Sequence, residues 1–138
     1  MTKPIKRELA IFLVVGLLTV VIDFLSYHGF LKLKPFDIES INIAKGFGFI
    51  VGTIFAYFAN RFWTFNQQTT SSGSAYRFAV VYVAGLLANI GINHLYIAWF
   101  SNPEISSFIT LLIAFILATG VSATLNFLGM KFFVFTSR

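Results

Sequence analysis

Four long apolar stretches, separated by short polar segments, dominate the chain. A helix needs about 20 apolar residues to cross the hydrocarbon core of a bilayer. Four stretches reach that length: roughly Leu9 to Leu31, Ile41 to Phe65, Arg77 to Phe100, and Ser106 to Phe133. Between the first two lies the polar turn Lys32-Leu33-Lys34-Pro35-Phe36-Asp37. Between the second and third lies Asn66-Gln67-Gln68-Thr69-Thr70-Ser71-Ser72-Gly73-Ser74, whose composition is that of a flexible linker. The last turn is Ser101-Asn102-Pro103-Glu104. The pattern predicts an all-α polytopic membrane protein with four transmembrane helices and no room for a soluble catalytic domain. Lys3, Lys6 and Arg7 ahead of the first stretch give it the outward look of a signal peptide. Its length and the lack of a small-residue cleavage site predict a retained helix instead.

Composition agrees. Of the 138 residues, 57% are hydrophobic and only 11% are charged, with 18 phenylalanines; soluble domains are about a quarter charged. The absence of cysteine excludes disulfides and thiolate metal sites. A net charge of +5 in a soluble protein would suggest nucleic acid. Here the cations stand beside apolar runs, which points to lipid phosphate and away from nucleic acid. Their distribution also predicts orientation. Lys3, Lys6, Arg7, Arg61, Arg77, Lys131 and Arg138 belong to the termini and the middle segment. The other two turns hold Lys32 and Lys34 together with Asp37, Glu39 and Glu104. The positive-inside rule then places both termini and the middle segment in the cytoplasm.

The second and fourth stretches repeat each other. Asn60-Arg61-Phe62-Trp63-Thr64-Phe65 is answered seventy residues later by Met130-Lys131-Phe132-Phe133-Val134-Phe135. Ahead of the first run, small residues recur every fourth position at Ala44, Gly48, Gly52 and Ala56. The same rungs in the fourth stretch are Ala114, Ala118, Ser122 and Asn126. Such a ladder puts small residues on one helix face and lets helices approach closely in lipid. Gly16-Leu17-Leu18 and Gly85-Leu86-Leu87 match more weakly. Chance can align Gly and Ala in any apolar helices, but the shared offset of ladder and aromatic-basic end favours duplication. The expectation is one domain over 1–138 built of two parallel helical hairpins. The hairpins cover about 5–65 and 76–135, joined by a linker over 66–75.

Ionisable groups within membrane helices are costly and usually functional. Asp23 lies about 24 Å along the helix from Arg7, and Lys45, Asn89, Asn93 and His94 are expected in the same leaflet. Two readings stay open. Asp23 and Lys45, capped by Asn93, form an ion pair that locks helices together; or the group is a path for a polar headgroup. No pattern of ligands predicts a metal. A second polar level is expected at the cytoplasmic ends, where Arg61, Lys131 and Arg77 join Asn60 and Asn126. Arg offers a fork of donors that fits phosphate, and Lys acts as a point charge. Phe62, Trp63, Phe65, Phe132 and Phe133 there offer apolar surface to a lipid chain. Ordinary interfacial anchoring is the plain alternative.

Phe58-Ala59-Asn60-Arg61-Phe62-Trp63-Thr64-Phe65 resembles the second-helix motif of the GtrA-like family of small four-helix membrane proteins. Phe12-Leu13-Val14-Val15-Gly16 with Val21-Ile22-Asp23-Phe24, and Tyr76-Arg77-Phe78 with Gly85, resemble its first and third helices. The chain departs from the family at Met130-Lys131, where relatives often repeat Asn-Arg. The resemblance implies an integral protein of a bacterial or archaeal plasma membrane that works in cell-surface polysaccharide synthesis without being an enzyme. It would translocate polyprenyl phosphate (undecaprenyl phosphate, for example) or its sugar adduct, made by a partner membrane glycosyltransferase. No cofactor is implied. Arg61, Lys131, Arg77, Asn60 and Asn126 would bind the lipid phosphate or sugar hydroxyls. Four short helices enclose little volume, so a homo-oligomer, most simply a dimer, is expected. Two rivals remain. One is an accessory subunit that positions the glycosyltransferase; the other is a proton-coupled exporter resembling the small multidrug-resistance proteins, with Asp23 as its carboxylate. No paired carboxylates, Ser/His/Asp set or metal cluster supports an enzyme.

Overall fold

The computed structural model describes residues 5–33, 38–67 and 72–136, with the backbone alone for 38–42. Lys3, Lys34, Asp37 and Arg138, and the side chain of Glu39, all used above for orientation, lie outside the described residues. Everything long is helical: α1 (Ile5–Lys32), α2 (Ile38–Ala59), α3 (Ser74–Phe100) and α4 (Ser107–Gly129). α2 runs on into a π-helical turn over Asn60–Thr64, and α4 into another over Met130–Val134. By length and composition the described chain has four helices able to cross a membrane. The 28 residues of α1 extend about 42 Å, more than the ~30 Å hydrocarbon core. α1 therefore begins ahead of Leu9 and carries Lys6, Arg7 and Glu8 in its first turns.

The chain divides into two compact units, Met1–Thr69 and Thr70–Arg138. In the first, α1 packs along α2 and its π-turn. Phe12 and Val15 of α1 and Ala44, Gly48, Gly52 and Ala56 of α2 are buried, and the ladder meets α1 at Asp23 and Tyr27 beside Gly48 and at Thr19 and Asp23 beside Gly52. Lipid tails are as apolar as Leu, so close packing and hydrogen bonds, not hydrophobic burial, hold such helices together. The approach at Gly48 is that close: a Cβ there would lie 2.7 Å from the main-chain oxygen of Asp23.

The second unit is built the same way from α3 and α4. Phe78, Val81 and Gly85 of α3 are buried, as are Thr110, Ala114, Ala118 and Ser122 of α4. Both predicted small-residue ladders therefore face a partner helix, not lipid. The first and third helices line up differently from the sequence expectation. Gly16 is exposed with nothing within 4 Å of a Cβ, whereas Gly85 is buried. The buried sets Glu8, Phe12, Val15 and Ser74, Phe78, Val81 coincide at an offset of 66. That register sets Thr19 against Gly85 and Asp23 against Asn89. Large apolar side chains such as Leu17, Leu87 and Phe115 stand exposed on the outer faces, where lipid would solvate them.

Candidate functional site

Each unit ends its second helix with one residue too many in the turn. The amide of Phe65 donates to the carbonyl of Asn60 at 2.9 Å, and that of Phe135 to Met130 at 2.8 Å, five residues back instead of four. Such π-turns cost regular hydrogen bonding and gather at functional sites.

In the first unit polar side chains hold the turn. Asn60, 2% exposed, donates from Nδ2 to the Ala56 carbonyl at 2.9 Å. Its Oδ1 accepts from the Thr64 hydroxyl, also at 2.9 Å. Asn60 and the buried Thr64 thus serve the backbone, and neither meets the surface. Beyond them the chain closes on itself. The Gln67 amide donates to the Arg61 carbonyl at 2.8 Å, and Arg61 Nε donates back to the Gln67 carbonyl at 3.3 Å. Asn66, at φ 53°, supplies the left-handed residue between them, a conformation Asn tolerates better than most. The Arg61 guanidinium lies over the Phe62 ring, 4.7 Å from its centre. Phe62 stacks on Phe58, and Trp63, 52% exposed, meets Phe55 edge-on. Phe65 does not join this surface as expected. It is 8% exposed, because the wider turn rotates it inward.

In the second unit the same turn is held by different chemistry. Met130 and Val134, both buried, replace Asn60 and Thr64. The last carbonyls go to α3: Arg77 donates from Nε to Phe133 at 2.9 Å and from Nη2 to Val134 at 3.4 Å. Its Nη1 reaches the Ser72 carbonyl at 3.0 Å. Arg77, expected from the sequence to bind lipid phosphate, therefore joins the start of α3 to the end of α4. Lys131 Nζ lies 5.9 Å from the centre of the exposed Phe132 ring.

The outer polar level differs from expectation. No ion pair joins Asp23 and Lys45 among the described residues; Asp23 packs on Gly48 and Lys45 is exposed. The cause is angular. Ala44 and Gly48 face α1, and Lys45, one residue past Ala44, turns about 100° away at 3.6 residues per turn. In the second unit Asn89 and Asn93 are half-buried on α3, His94 is exposed, and the Asn126 amide rests on Gly85. Sequence reasoning missed Thr64 and Glu8. Glu8, 7% exposed, is engaged within the fold; its position four before Phe12, on the buried stripe, was the available signal. No group of three His, Cys, Asp or Glu among the described residues could hold a metal.

No solved structure matches the chain. The family model described as GtrA/DPMS, transmembrane domain, matches residues 11–135 and so takes in both units and both π-turns. With four membrane-length helices and that match along nearly its whole length, the chain is an integral membrane protein and belongs to the GtrA/DPMS transmembrane-domain family.

Proposed function

We propose that this protein binds a polyprenyl-phosphate carrier lipid, bare or sugar-linked, and moves its headgroup across the membrane for cell-surface polysaccharide synthesis or glycosylation. Membership of the family supports a role with carrier-lipid-linked sugars. The observation that carries the finer reading is the paired π-turn ends. Each sets a cation against an exposed aromatic ring, Arg61 on Phe62 and Lys131 on Phe132. A cation beside an aromatic ring at a helix end is the arrangement that settles at the headgroup level, where lipid phosphate lies, and the rings offer surface to an isoprenoid chain. At the first end Arg61 offers phosphate the better fork, and at the second Lys131 offers a point charge while Arg77 holds that end in shape. Asn60 acts through the turn it closes, as a positioning residue for Arg61.

In this reading the chain is not an enzyme. Its termini are cytoplasmic in a bacterial or archaeal plasma membrane, it works with a membrane glycosyltransferase, and it forms a homo-oligomer. Native mass spectrometry of the full chain with undecaprenyl phosphate tests it. Wild type should retain that lipid over ordinary anionic phospholipids, and Arg61→Ala should lose the preference. Equal weak retention of every anionic lipid would reduce Arg61 to an anchor and move the glycosyltransferase-scaffold reading ahead.

One observation favours a second reading. Asp23 sets a carboxylate within a membrane helix with no ion pair to Lys45 among the described residues, and a proton-coupled exporter needs a membrane-embedded carboxylate. Cation efflux that depends on pH and vanishes in Asp23→Asn would establish it; efflux unchanged in that variant would remove it.

A further inference from the structure

The two units differ in how much uninterrupted apolar helix they offer a bilayer. In α1 the exposed Arg7 and the half-buried Asp23 stand sixteen residues apart, about 24 Å along a helix. In α2 Lys45 and Arg61 are also sixteen residues apart, the same distance of about 24 Å. Asp23 meets α2 at Gly48, three residues from Lys45, so the two charges stand within about 4.5 Å of one level. The second unit has no such interruption. No Asp, Glu, Lys or Arg falls between Arg77 and the end of α3 at Phe100, or between the start of α4 at Ser107 and Lys131. Each of those stretches runs about 35 Å. At the offset of 66 the second unit sets Asn89 against Asp23. At the offset of 70 it sets the exposed Phe115 against Lys45.

The hydrocarbon core of a bilayer is about 30 Å thick. The second unit's stretches cover it. With Arg7 and Arg61 at one interface, Asp23 and Lys45 stand about 6 Å inside the other. They do not neutralise each other, since no ion pair joins them among the described residues. A lysine amine can snorkel to the interface along its stem. An aspartate carboxylate, one carbon from the backbone, cannot follow it. Charge left in hydrocarbon is costly, whereas drawing a leaflet inward costs little per ångström.

We infer that the first hairpin thins the bilayer. On the side opposite Arg7 and Arg61, headgroups and their water draw in by about 6 Å to meet Asp23 and Lys45. The partner is the headgroup layer of ordinary phospholipid, whose phosphate oxygens suit Lys45 and whose ammonium groups and water suit Asp23. Any headgroup crossing beside α1 and α2 then has a shorter apolar path. The inference stands apart from the carrier-lipid reading, since it holds whichever lipid moves.

The chain has no cysteine, so single cysteines can carry nitroxide labels. Their depth is read from collisions with oxygen and with a water-soluble nickel chelate. Two pairs at matching register and alike in exposure are compared in the full chain, in dioleoyl phosphatidylcholine vesicles. They are Phe24→Cys with Ile90→Cys, and Phe47→Cys with Leu117→Cys. The first-unit label of each pair should read about 6 Å closer to water than its mate. The gap should widen in longer-chain phosphatidylcholine, because the charges stay where they are along their helices. Asp23→Asn with Lys45→Phe, which copies the second unit's own residues at those positions, should return the first-unit labels to their mates' depth. Equal depths within each pair in wild type overturn the inference, and so does a gap that ignores chain length; neither comparison alters a charge. A gap that survives in the double variant also overturns it, since the charges then do not cause the thinning.

Discussion

Replacing Gly48 with alanine probes the tightest point of the first hairpin. A Cβ there would stand 2.6 Å from Asp23 Oδ1, 2.7 Å from the Asp23 carbonyl oxygen and 3.3 Å from Tyr27 Cβ. The carboxylate can rotate away. The carbonyl cannot, because it belongs to the hydrogen-bonded backbone of α1. Restoring an ordinary 3.4 Å contact from 2.7 Å requires the helices to part by 0.7 Å (3.4 − 2.7) at that rung. Overpacking of this kind costs about 1–3 kcal/mol, while alanine regains up to about 1 kcal/mol of helix propensity. A net loss of about 1–2 kcal/mol follows. Gly46→Ala is the control, since nothing lies within 4 Å of its added carbon. Unfolding of both variants by sodium dodecyl sulfate in mixed micelles, followed by circular dichroism, measures the difference. Gly52→Ala, with its nearest neighbours at 3.3 and 3.4 Å, should fall between them. Adding Asp23→Ala to Gly48→Ala should recover only part of the loss, because the carbonyl remains. If Gly48→Ala proves as stable as Gly46→Ala, the helices do not pack through this face.

Other outcomes follow from the same geometry. Gly129→Ala would set a Cβ 2.7 and 2.8 Å from the two methyls of Val81; the stiff β-branched side chain cannot yield. Gly129→Ala should destabilise by about 1–3 kcal/mol, and Val81→Ala should rescue it in a double-mutant cycle; strict additivity would refute the contact. Arg77→Ala strands the Phe133 and Val134 carbonyls and should cost about 1–2 kcal/mol, discounted for partial exposure. Arg77→Lys should restore only part of it, and an undiminished stability in Arg77→Ala would show those bonds to be idle. The chain has no cysteine, so single cysteines at Ser72 and Asn102 report topology directly. An impermeant maleimide should label Asn102→Cys in intact cells and leave Ser72→Cys untouched until lysis; the reverse would invert the orientation.

Much of the packing was legible because it depends on spacing alone. Small residues at every fourth position can share only one helix face, and Ala44, Gly48, Gly52, Ala114 and Ala118 are buried on theirs. The π-turns were not legible. One extra residue in a turn leaves no compositional mark, and the two turns are held by dissimilar pairs, Asn60 with Thr64 and Met130 with Val134. Phe65 was misplaced for that reason. The Asp23–Lys45 pairing failed because matching depth is not matching azimuth. Arg77 looked like a lipid anchor because sequence shows a charge and its neighbourhood, not the orphaned carbonyls that a helix end brings to it. The Asn126 amide was visible as a rung, but its lack of a partner could emerge only once Gly85 was seen beneath it.

The central claim is movement of a carrier lipid that depends on the aromatic-backed cation at the first π-turn. It is tested most directly by reconstituting the chain in liposomes with a fluorescent short-chain polyprenyl phosphate, in its bare and hexosyl forms, and bleaching the outer leaflet with dithionite. Wild type should bring inner-leaflet label within reach of the quencher faster than protein-free vesicles do, and Arg61→Ala should fall back to the protein-free rate. Wild type at the protein-free rate, or Arg61→Ala as fast as wild type, would contradict it.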